Sequence, residues 1–227
     1  MHRLSEEYIR YFLRKMSKHK HIKGGAAYSV QKVITKEFNV LPFDGIWRDA
    51  VGCPELTGSW FIYGDPKNGK TSFAMMLAKY LSAFCRVAYD SIEEGLSLSI
   101  QKSMNRVSMM EVSRRVILLD KENVTDLVAR LDRHKSPSVV IIDSIQFLEL
   151  KFNEYKRLKE SYPDKLFIYI SHVDGKQPDG QVAKRIWRDA NIVFRIEGFK
   201  AFPVGRYGGG KPITISNEKA NDYWNTI

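Results

Sequence analysis

The chain has 227 residues, 44% of them hydrophobic and 27% charged, with 36 Lys and Arg against 26 Asp and Glu and a formal net charge of +10. This length suffices for one α/β domain with its own core, and no apolar run approaches the length of a membrane-spanning helix. The charged N-terminus lacks the apolar stretch of a secretory signal, and the two cysteines show neither metal-ligand spacing nor a disulfide framework. We therefore expect a cytoplasmic protein whose basic excess makes binding to a phosphate polymer a hypothesis to test.

The first segment of the chain, residues 1–23, is predicted to be an amphipathic basic arm. Apolar side chains recur at helical spacing over residues 4–16, opposite a face of arginines and lysines. Three roles stay open for this arm: packing on its own core, docking on a neighbouring subunit, or contact with nucleic acid. We place the domain boundary so that residues 1–37 form the arm and residues 38–227 the main domain.

The main domain alternates apolar strands with helices. β-Branched and aromatic runs predict five strands, at 59–63, 86–89, 115–119, 138–142 and 166–170. Helical periodicity predicts helices between them, over 71–84, 122–134 and 147–160. Continuous apolar strands that alternate with helices indicate a parallel sheet covered on both faces.

Three later strands are predicted at 192–196, 201–204 and 212–215. They lie too close together for helical crossovers, so we expect antiparallel additions at one edge of the sheet. The predicted fold class is therefore α/β: a mainly parallel twisted sheet with helices on both faces and antiparallel strands at its C-terminal edge.

The loop after the first strand has the sequence of a phosphate-binding loop. Its eight residues fit G-x-x-x-x-G-K-[ST], between an apolar strand and a helix: Gly64, Asp65, Pro66, Lys67, Asn68, Gly69, Lys70 and Thr71. The glycines let backbone N–H groups face the phosphates, and the helix N-terminus adds a partial positive charge. Lys70 should reach the β- and γ-phosphates, and the Thr71 hydroxyl should hold Mg²⁺. These eight residues and Ser72 form the predicted ATP-binding segment.

Carboxylates end two further strands. The fourth strand ends in Asp143, which we expect to complete the Mg²⁺ shell with Thr71. The second strand is followed by Glu93 and Glu94, which could supply the base that orients an attacking water. The same pair could simply favour the N-terminus of a following helix. Spacing alone leaves these two interpretations open.

Together these motifs resemble the RecA superfamily, in its RadA, DnaB-helicase and KaiC branch. The resemblance covers about residues 38–216 and adds four features to the phosphate loop: the Glu pair, the sequence Val-Ile-Ile-Asp-Ser at 140–144, Ser171-His172-Val173, and the stretch 181–197 with Arg206-Tyr207-Gly208. The sequence shows neither the zinc module and protease-like domain of RadA nor the N-terminal helical domain of DnaB. We therefore expect a bare RecA-like P-loop core, similar to short ATPases of phages and mobile elements, in the bacterial or host cytoplasm.

The resemblance implies roles for several residues. Glu93 would be the general base, with Glu94 as the second choice. His172 would sense the γ-phosphate, or be a strand-end histidine satisfied by backbone groups. Arg206 would reach the next subunit's ATP site as an arginine finger, or be a surface arginine beside a glycine-rich turn. The family often has a lysine two residues before this arginine, and Val204 stands there instead, which argues against a two-pronged finger.

In RecA relatives the loop after the fifth strand contacts single-stranded DNA. Here that segment, residues 172–185, is polar and basic, and we interpret it as a flexible loop. Lys176, Lys184 and Arg185 are the predicted DNA-binding residues. A solvated loop that responds only to nucleotide is the alternative.

The leading hypothesis is a Mg²⁺-dependent ATPase of RecA type that acts on single-stranded DNA in recombination, annealing or replication. Two alternatives stay open: a hexameric DNA helicase motor, and a KaiC-like ATP-dependent assembly switch that binds a protein partner. The expected cofactors are ATP and Mg²⁺. The expected partners are single-stranded DNA and further copies of the chain, in a ring or filament.

Overall fold

The structure is a computed structural model that describes residues 26–225. The chain divides into two units, Met1–Asn39 and Val40–Ile227. The described residues of the first unit contain the short helix α1 (Val30–Ile34). The helical face predicted over residues 4–16 lies outside the described residues, and the division of the chain after residue 37 stays a prediction.

The second unit is built from strands that alternate with helices. The strands are β1 (Gly58–Gly64), β2 (Val87–Ser91), β3 (Val116–Leu119), β4 (Val139–Asp143), β5 (Leu166–Ser171), β6 (Val173–Asp174), β7 (Gln177–Pro178), β8 (Ile192–Glu197), β9 (Lys200–Gly205) and β10 (Ile213–Thr214). The helices are α2 (Gly45–Val51), α3 (Lys70–Leu81), α4 (Leu98–Arg106), α5 (Val124–Leu131), α6 (Phe152–Ser161), α7 (Gln181–Asp189) and α8 (Asn217–Trp224), with short 3₁₀ turns at Met109–Val112 and Ile145–Phe147. None of the helices within residues 26–225 has the length and apolar character that a membrane crossing requires.

Eight of the strands form one sheet, in the order β10-β9-β8-β1-β5-β4-β2-β3. β1 lies inside the sheet, where it pairs in parallel with β5 and β8, and the parallel pairing continues through β4, β2 and β3. The predicted fold class is confirmed: a mostly parallel sheet with antiparallel strands at one edge. Because the carboxyl ends of parallel strands meet at one edge, the loops after β1, β2, β4 and β5 are neighbours.

β8 differs from its prediction as an antiparallel addition. It pairs in parallel with β1 and is antiparallel only to β9. The physical reason is α7, which supplies the crossover from β5 that parallel pairing needs. β9 and β10 are joined by shorter connections and pair in antiparallel fashion, as expected.

Side chains of β1 show how the sheet is covered on both faces. Trp60 and Ile62 belong to an apolar cluster that includes α3. Phe61 and Tyr63, the alternate residues, belong to a second cluster with α5, α6 and α7. Helices therefore cover both faces of the sheet, and the two ends of its strands are left accessible to ligands.

One carboxylate, Asp90 of β2, is fully buried within this sheet. Its Oδ1 accepts the Glu122 N–H at 3.2 Å, whereas its Oδ2 has no hydrogen-bond partner among the described residues. Burial away from water raises the pKa of Asp90 from its ordinary 3.8 to about 7. The folded chain therefore keeps a proton on Asp90 at pH values where the unfolded chain has released it.

Replacing Asp90 with Asn tests this buried carboxyl group. A group whose pKa is higher in the folded state favours folding less as pH rises from its unfolded to its folded value. We expect the free energy of unfolding of the wild type to fall between pH 3.8 and about 7, and the Asp90→Asn variant to show a smaller fall. Urea unfolding across this range measures both. An identical pH dependence in the two proteins would contradict the assignment.

Candidate functional site

The loop between β1 and α3 forms a curled cradle at the carboxyl edge of the sheet. Lys67 and Gly69 have φ angles of 64° and 100°, the left-handed backbone that lets the chain turn back on itself. Gly64 is required for a different reason. A Cβ atom there would lie 2.1 Å from the carbonyl oxygen of Ile196 on β8. The loop therefore has the curled backbone that its sequence predicts, and β8 packs directly against its first residue.

The side chain of Lys70 lies inside this cradle. Its Nζ donates to the carbonyl oxygens of Gly64 at 2.9 Å and Asp65 at 2.8 Å, and the residue is only 8% exposed. Burial lowers the pKa of Lys70, and the charges of Asp143 and Glu93 partly oppose that effect. An ammonium group held by two neutral carbonyls in a curled loop is ready to exchange them for phosphate oxygens.

Asp143, at the end of β4, lies beside the start of α3. Its Oδ2 accepts hydrogen bonds from the Thr71 hydroxyl, at 3.3 Å, and from the Tyr89 hydroxyl. Burial raises the pKa of Asp143 to about 6, although both hydrogen bonds act to lower it. A hydroxyl and a carboxylate oxygen at this separation are the oxygen ligands that Mg²⁺ takes together with a polyphosphate. The residues present therefore fit such an ion.

Tyr89 is a site residue that sequence reasoning missed. It lies on β2, fully buried, and burial, followed by the nearby Asp143, raises the pKa of its hydroxyl well above the usual 10.0. The hydroxyl thus stays neutral and donates to Asp143. The one sequence signal is a tyrosine near the end of an apolar strand, and its contact depends on the β2–β4 pairing, which the sequence does not specify.

Glu93 follows β2 and faces the ends of the neighbouring strands. Its Oε2 lies 3.0 Å from His172 Nε2 and accepts a hydrogen bond from the Ser144 hydroxyl at 3.1 Å. The Glu93 N–H also donates to the Asp143 carbonyl oxygen at 3.1 Å. These contacts bring Glu93, Asp143 and His172 together at the carboxyl edge.

Glu94 has a different environment. Its Oε2 accepts hydrogen bonds from the hydroxyls of Ser97, at 3.4 Å, and Ser99. Ser97 is the N-cap of α4, and its own hydroxyl accepts the Ile100 N–H. The alternative considered for both glutamates, a contact with the start of a helix, therefore applies to Glu94. Glu93 instead lies near Asp143.

His172 connects Glu93 to the segment that follows β5. The His172 N–H donates to Gln146 Oε1 at 3.3 Å, and Gln146 Nε2 donates to the Ser171 hydroxyl at 2.8 Å and to the Asp179 carbonyl oxygen at 3.0 Å. Gln146 was not predicted as a site residue, because nothing in the sequence indicates that the turn after β4 meets the end of β5.

The segment 172–185 is not the flexible loop that we predicted. It forms the β6–β7 hairpin and the start of α7. Lys176 is exposed at the hairpin turn, whereas Lys184 and Arg185 lie on the helix, where the Arg185 guanidinium is 5.1 Å from the centre of the Phe152 ring. The polar composition concealed the helix, whose apolar side buries only two residues. The three cations follow β5 and so lie toward the same edge as the cradle.

Arg206 lies at the other end of the strands from the cradle, where the parallel strands begin. β9 runs antiparallel to β8, so Gly205 pairs with Ile192, the first residue of β8. The Arg206 N–H donates to the Asn191 carbonyl oxygen at 3.2 Å. A strand of this length separates Arg206 from the cradle by about 17 Å, so it is distant from the site of its own subunit. Its role in a neighbouring subunit stays a prediction.

Comparisons with known proteins bear on the fold. No protein-family model matches the chain, and no curated protein matches it. Among solved structures, it resembles the flagellar accessory protein FlaH from Methanocaldococcus jannaschii, with a TM-score of 0.55 and 18% identity over 79% of this chain and 96% of that one. It also resembles the KaiC-like protein PH0186 from Pyrococcus horikoshii OT3, with a TM-score of 0.53 and 15% identity over 78% of this chain and 92% of that one. The chain therefore shares the α/β fold of these two structures, with a mostly parallel central sheet and antiparallel strands at one edge.

Replacing Gly64 with Ala tests the close approach of β8 to the cradle. The added Cβ would meet a backbone carbonyl at 2.1 Å, so we expect a loss of at least about 2 kcal/mol in the free energy of unfolding. Gly205→Ala is the matched control, because the atom nearest its Cβ would be a side-chain carbon of Ile192 at 3.1 Å, and the nearest backbone atom, the Asn191 carbonyl oxygen, would be 3.6 Å away. Denaturant unfolding measures both variants, and equal stabilities would contradict the role given to Gly64.

Proposed function

We propose that this chain is a Mg²⁺-dependent ATP hydrolase of RecA type. One observation carries the proposal. The Lys70 ammonium, the oxygen pair of Thr71 and Asp143, and the Glu93 carboxylate gather at the carboxyl edge of a single parallel sheet. A cation for phosphate, oxygens for a metal and a carboxylate for water are the three parts that phosphoryl transfer to water requires.

The cradle binds the nucleotide. Its backbone N–H groups and the N-terminus of α3 attract the phosphates, with Ser72 extending the segment into the helix. Lys70 exchanges the carbonyls of Gly64 and Asp65 for β- and γ-phosphate oxygens. Thr71 and Asp143 would hold Mg²⁺, which would supply positive charge to offset the charge that develops on the phosphate oxygens. The buried setting strengthens these interactions, because little water competes with them.

Water activation is assigned to Glu93. Its Oε2 is engaged by His172 and Ser144, so we assign Oε1 to the water that it orients and deprotonates. His172 lies next to that carboxylate and senses the γ-phosphate by exchanging its contact with Glu93 for one with a phosphate oxygen. Arg206 acts in trans, since it is remote from the cradle of its own subunit, and stabilises charge in the neighbouring site.

Two substitutions separate binding from hydrolysis. Lys70→Ala should abolish ATP binding or turnover, because it removes the cation of the cradle. Glu93→Gln should bind ATP with unchanged affinity but lower kcat by about a hundredfold or more, since the amide cannot accept the water's proton. Phosphate release and binding of a fluorescent ATP analogue measure the two steps.

Glu94→Gln is the matched control for this pair. It makes the same chemical change on the neighbouring residue, whose carboxylate contacts Ser97 and Ser99, and should keep near wild-type turnover. Unchanged turnover in Lys70→Ala would refute the ATPase assignment. An inactive Glu94→Gln beside an active Glu93→Gln would show that the wrong glutamate was chosen as the base.

We further propose single-stranded DNA as the partner on which the ATPase acts, in recombination, annealing or replication, through a ring or filament of copies. Support comes from the net charge of +10 and from Lys176, Lys184 and Arg185 after β5. The hydrogen bonds from Glu93 through His172 and Gln146 reach Asp179, in the same segment. A strand bound there can therefore shift the base, which would couple DNA binding to hydrolysis.

A KaiC-like assembly switch is the second candidate, favoured by the likeness to the KaiC-like structure. In that case ATP would control binding of a protein partner, with DNA incidental. Stimulation of ATP hydrolysis by single-stranded DNA separates the two candidates, because only the first requires it.

Changing Lys184 and Arg185 together to Ala tests the DNA interface. We expect weaker binding of single-stranded DNA and a shallower dependence of log K on log salt, by about 1.4, since each lost phosphate contact accounts for about 0.7. Hydrolysis without DNA should persist, whereas its stimulation by DNA should fall. Fluorescence anisotropy at several salt concentrations gives the slope. An unaltered slope would remove this segment from the interface.

A further inference from the structure

A row of cations lies at the edge of the sheet opposite the cradle, where the parallel strands begin. Arg115, Arg86 and Lys165 are the residues immediately before β3, β2 and β5. The pairing register aligns the first residues of β3, β2, β4 and β5, and neighbouring strands in a sheet are about 4.8 Å apart. Arg115 and Arg86 therefore lie on adjacent strands, whereas Lys165 lies two strands from Arg86, on the other side of β4.

This row borders a pocket of about 210 Å³. Six cationic side chains line it: Arg86, Arg114, Arg115, Arg130, Arg133 and Lys135. None of the lining residues in the described part of the chain is an Asp or Glu. We call these six residues with Lys165 the edge cluster.

Most of the charge in the edge cluster is not neutralised. Arg130 is paired with the Glu122 carboxylate. The guanidinium groups of Arg114, Arg115 and Arg133 are exposed and make no hydrogen bond or ion pair with any residue within 26–225. Each guanidinium presents five N–H donors, so the pocket mouth carries a dense set of donors that only solvent or a ligand can use.

Lys165 adds a buried positive charge behind this mouth. It is 8% exposed, and its Nζ donates to the Ser136 hydroxyl and the Pro137 carbonyl oxygen, both at 2.9 Å. Both acceptors are uncharged and both residues line the pocket. Because a buried charge is weakly screened, Lys165 strengthens the positive potential at the mouth.

Helix ends do not fully explain these cations. α3 and α5 end at this edge, and basic side chains near helix C-termini stabilise the partial negative charge there. This explains Arg86, whose Nη1 donates to the Lys135 carbonyl oxygen at 3.0 Å just after α5. It leaves the three unpaired arginines unexplained, since their guanidinium groups bond no carbonyl of the described residues.

We propose that the edge cluster binds the phosphodiester backbone of nucleic acid. The pocket, at about 210 Å³, is smaller than the roughly 300 Å³ at which small-molecule sites begin. It therefore fits phosphate groups of a chain that continues past it better than a whole nucleotide. No Phe, Tyr or Trp is among the described lining residues, so the site offers no platform for base stacking. Contacts to phosphates alone make the binding independent of sequence and common to single strands and duplexes.

This interface is separate from the cradle and from Lys184 and Arg185, which lie toward the other edge of the sheet. It rests on the edge cluster alone and does not depend on ATP hydrolysis. A single nucleic-acid chain that contacts both the edge cluster and the segment after β5 would run along the outside of the subunit between them.

Changing Arg114 and Arg115 together to Ala tests the proposal, because both side chains are exposed and unpaired. Labelled homopolymeric single-stranded DNA and a duplex of equal length are the probes, titrated at several salt concentrations by anisotropy. The slope of log K against log salt should become shallower by about 1.4 for the single strand and about 1.8 for the duplex. Arg114→Lys with Arg115→Lys keeps both charges and should restore most of the slope. Melting temperature and ATP hydrolysis without DNA should match the wild type in both variants.

Lys102→Ala with Lys219→Ala is the charge-matched control, since it removes two exposed cations that lie outside the pocket, the segment 172–185 and the N-terminal arm, and it should leave the slope unchanged. The proposal is overturned if the Arg114/Arg115 alanine pair keeps the wild-type slope, or if the lysine pair loses binding as fully as the alanine pair. It is also overturned if the wild type binds inorganic polyphosphate or polyglutamate but neither DNA. DNA binding without any ATP turnover would count against the ATPase instead, and the two failures are therefore distinguishable.

Discussion

Parallel pairing around β1 is the constraint on which the rest of the structure depends. It brings the ends of β1, β2, β4 and β5 to one edge, although these strands are far apart in the chain. Lys70, Asp143, Glu93 and His172 become neighbours for that reason alone. The same register aligns the strand starts at the other edge, where arginines and a lysine occupy equivalent positions. One set of backbone hydrogen bonds thus builds two sites of different character, a cradle with mixed charges and a cluster of cations.

The cradle holds charge that the folded chain does not fully compensate. Lys70 is buried against neutral carbonyls, and burial dominates its lowered pKa. Asp143 is buried beside two hydroxyl donors, and burial dominates its raised pKa. Burying charged groups without ionic partners costs stability. A polyphosphate with Mg²⁺ would supply an anion for Lys70 and a cation for Asp143. The burial that destabilises the fold without nucleotide would therefore favour nucleotide binding.

The sequence predicted the frame of the fold because its core strands are continuous apolar runs bounded by clear turns. It did not predict α2, which is short, nor α4, α7 and α8, whose polar composition conceals them. The parallel orientation of β8 depends on α7, so it was not predicted because α7 was not predicted. The choice between Glu93 and Glu94 depends on backbone contacts with Asp143 and on the N-cap of α4, which spacing does not specify. Tyr89 and Gln146 join the site through contacts between strands distant in sequence, and a local pattern carries no sign of such contacts.

A crystal structure of the chain with Mg²⁺ and a non-hydrolysable ATP analogue tests the central claim most directly. The expected result is a triphosphate inside the Gly64–Thr71 loop, with Lys70 Nζ moved from the Gly64 and Asp65 carbonyls to phosphate oxygens, and the metal between Thr71 and Asp143. A nucleotide bound elsewhere on the chain, with Lys70 still held by those two carbonyls, would contradict it.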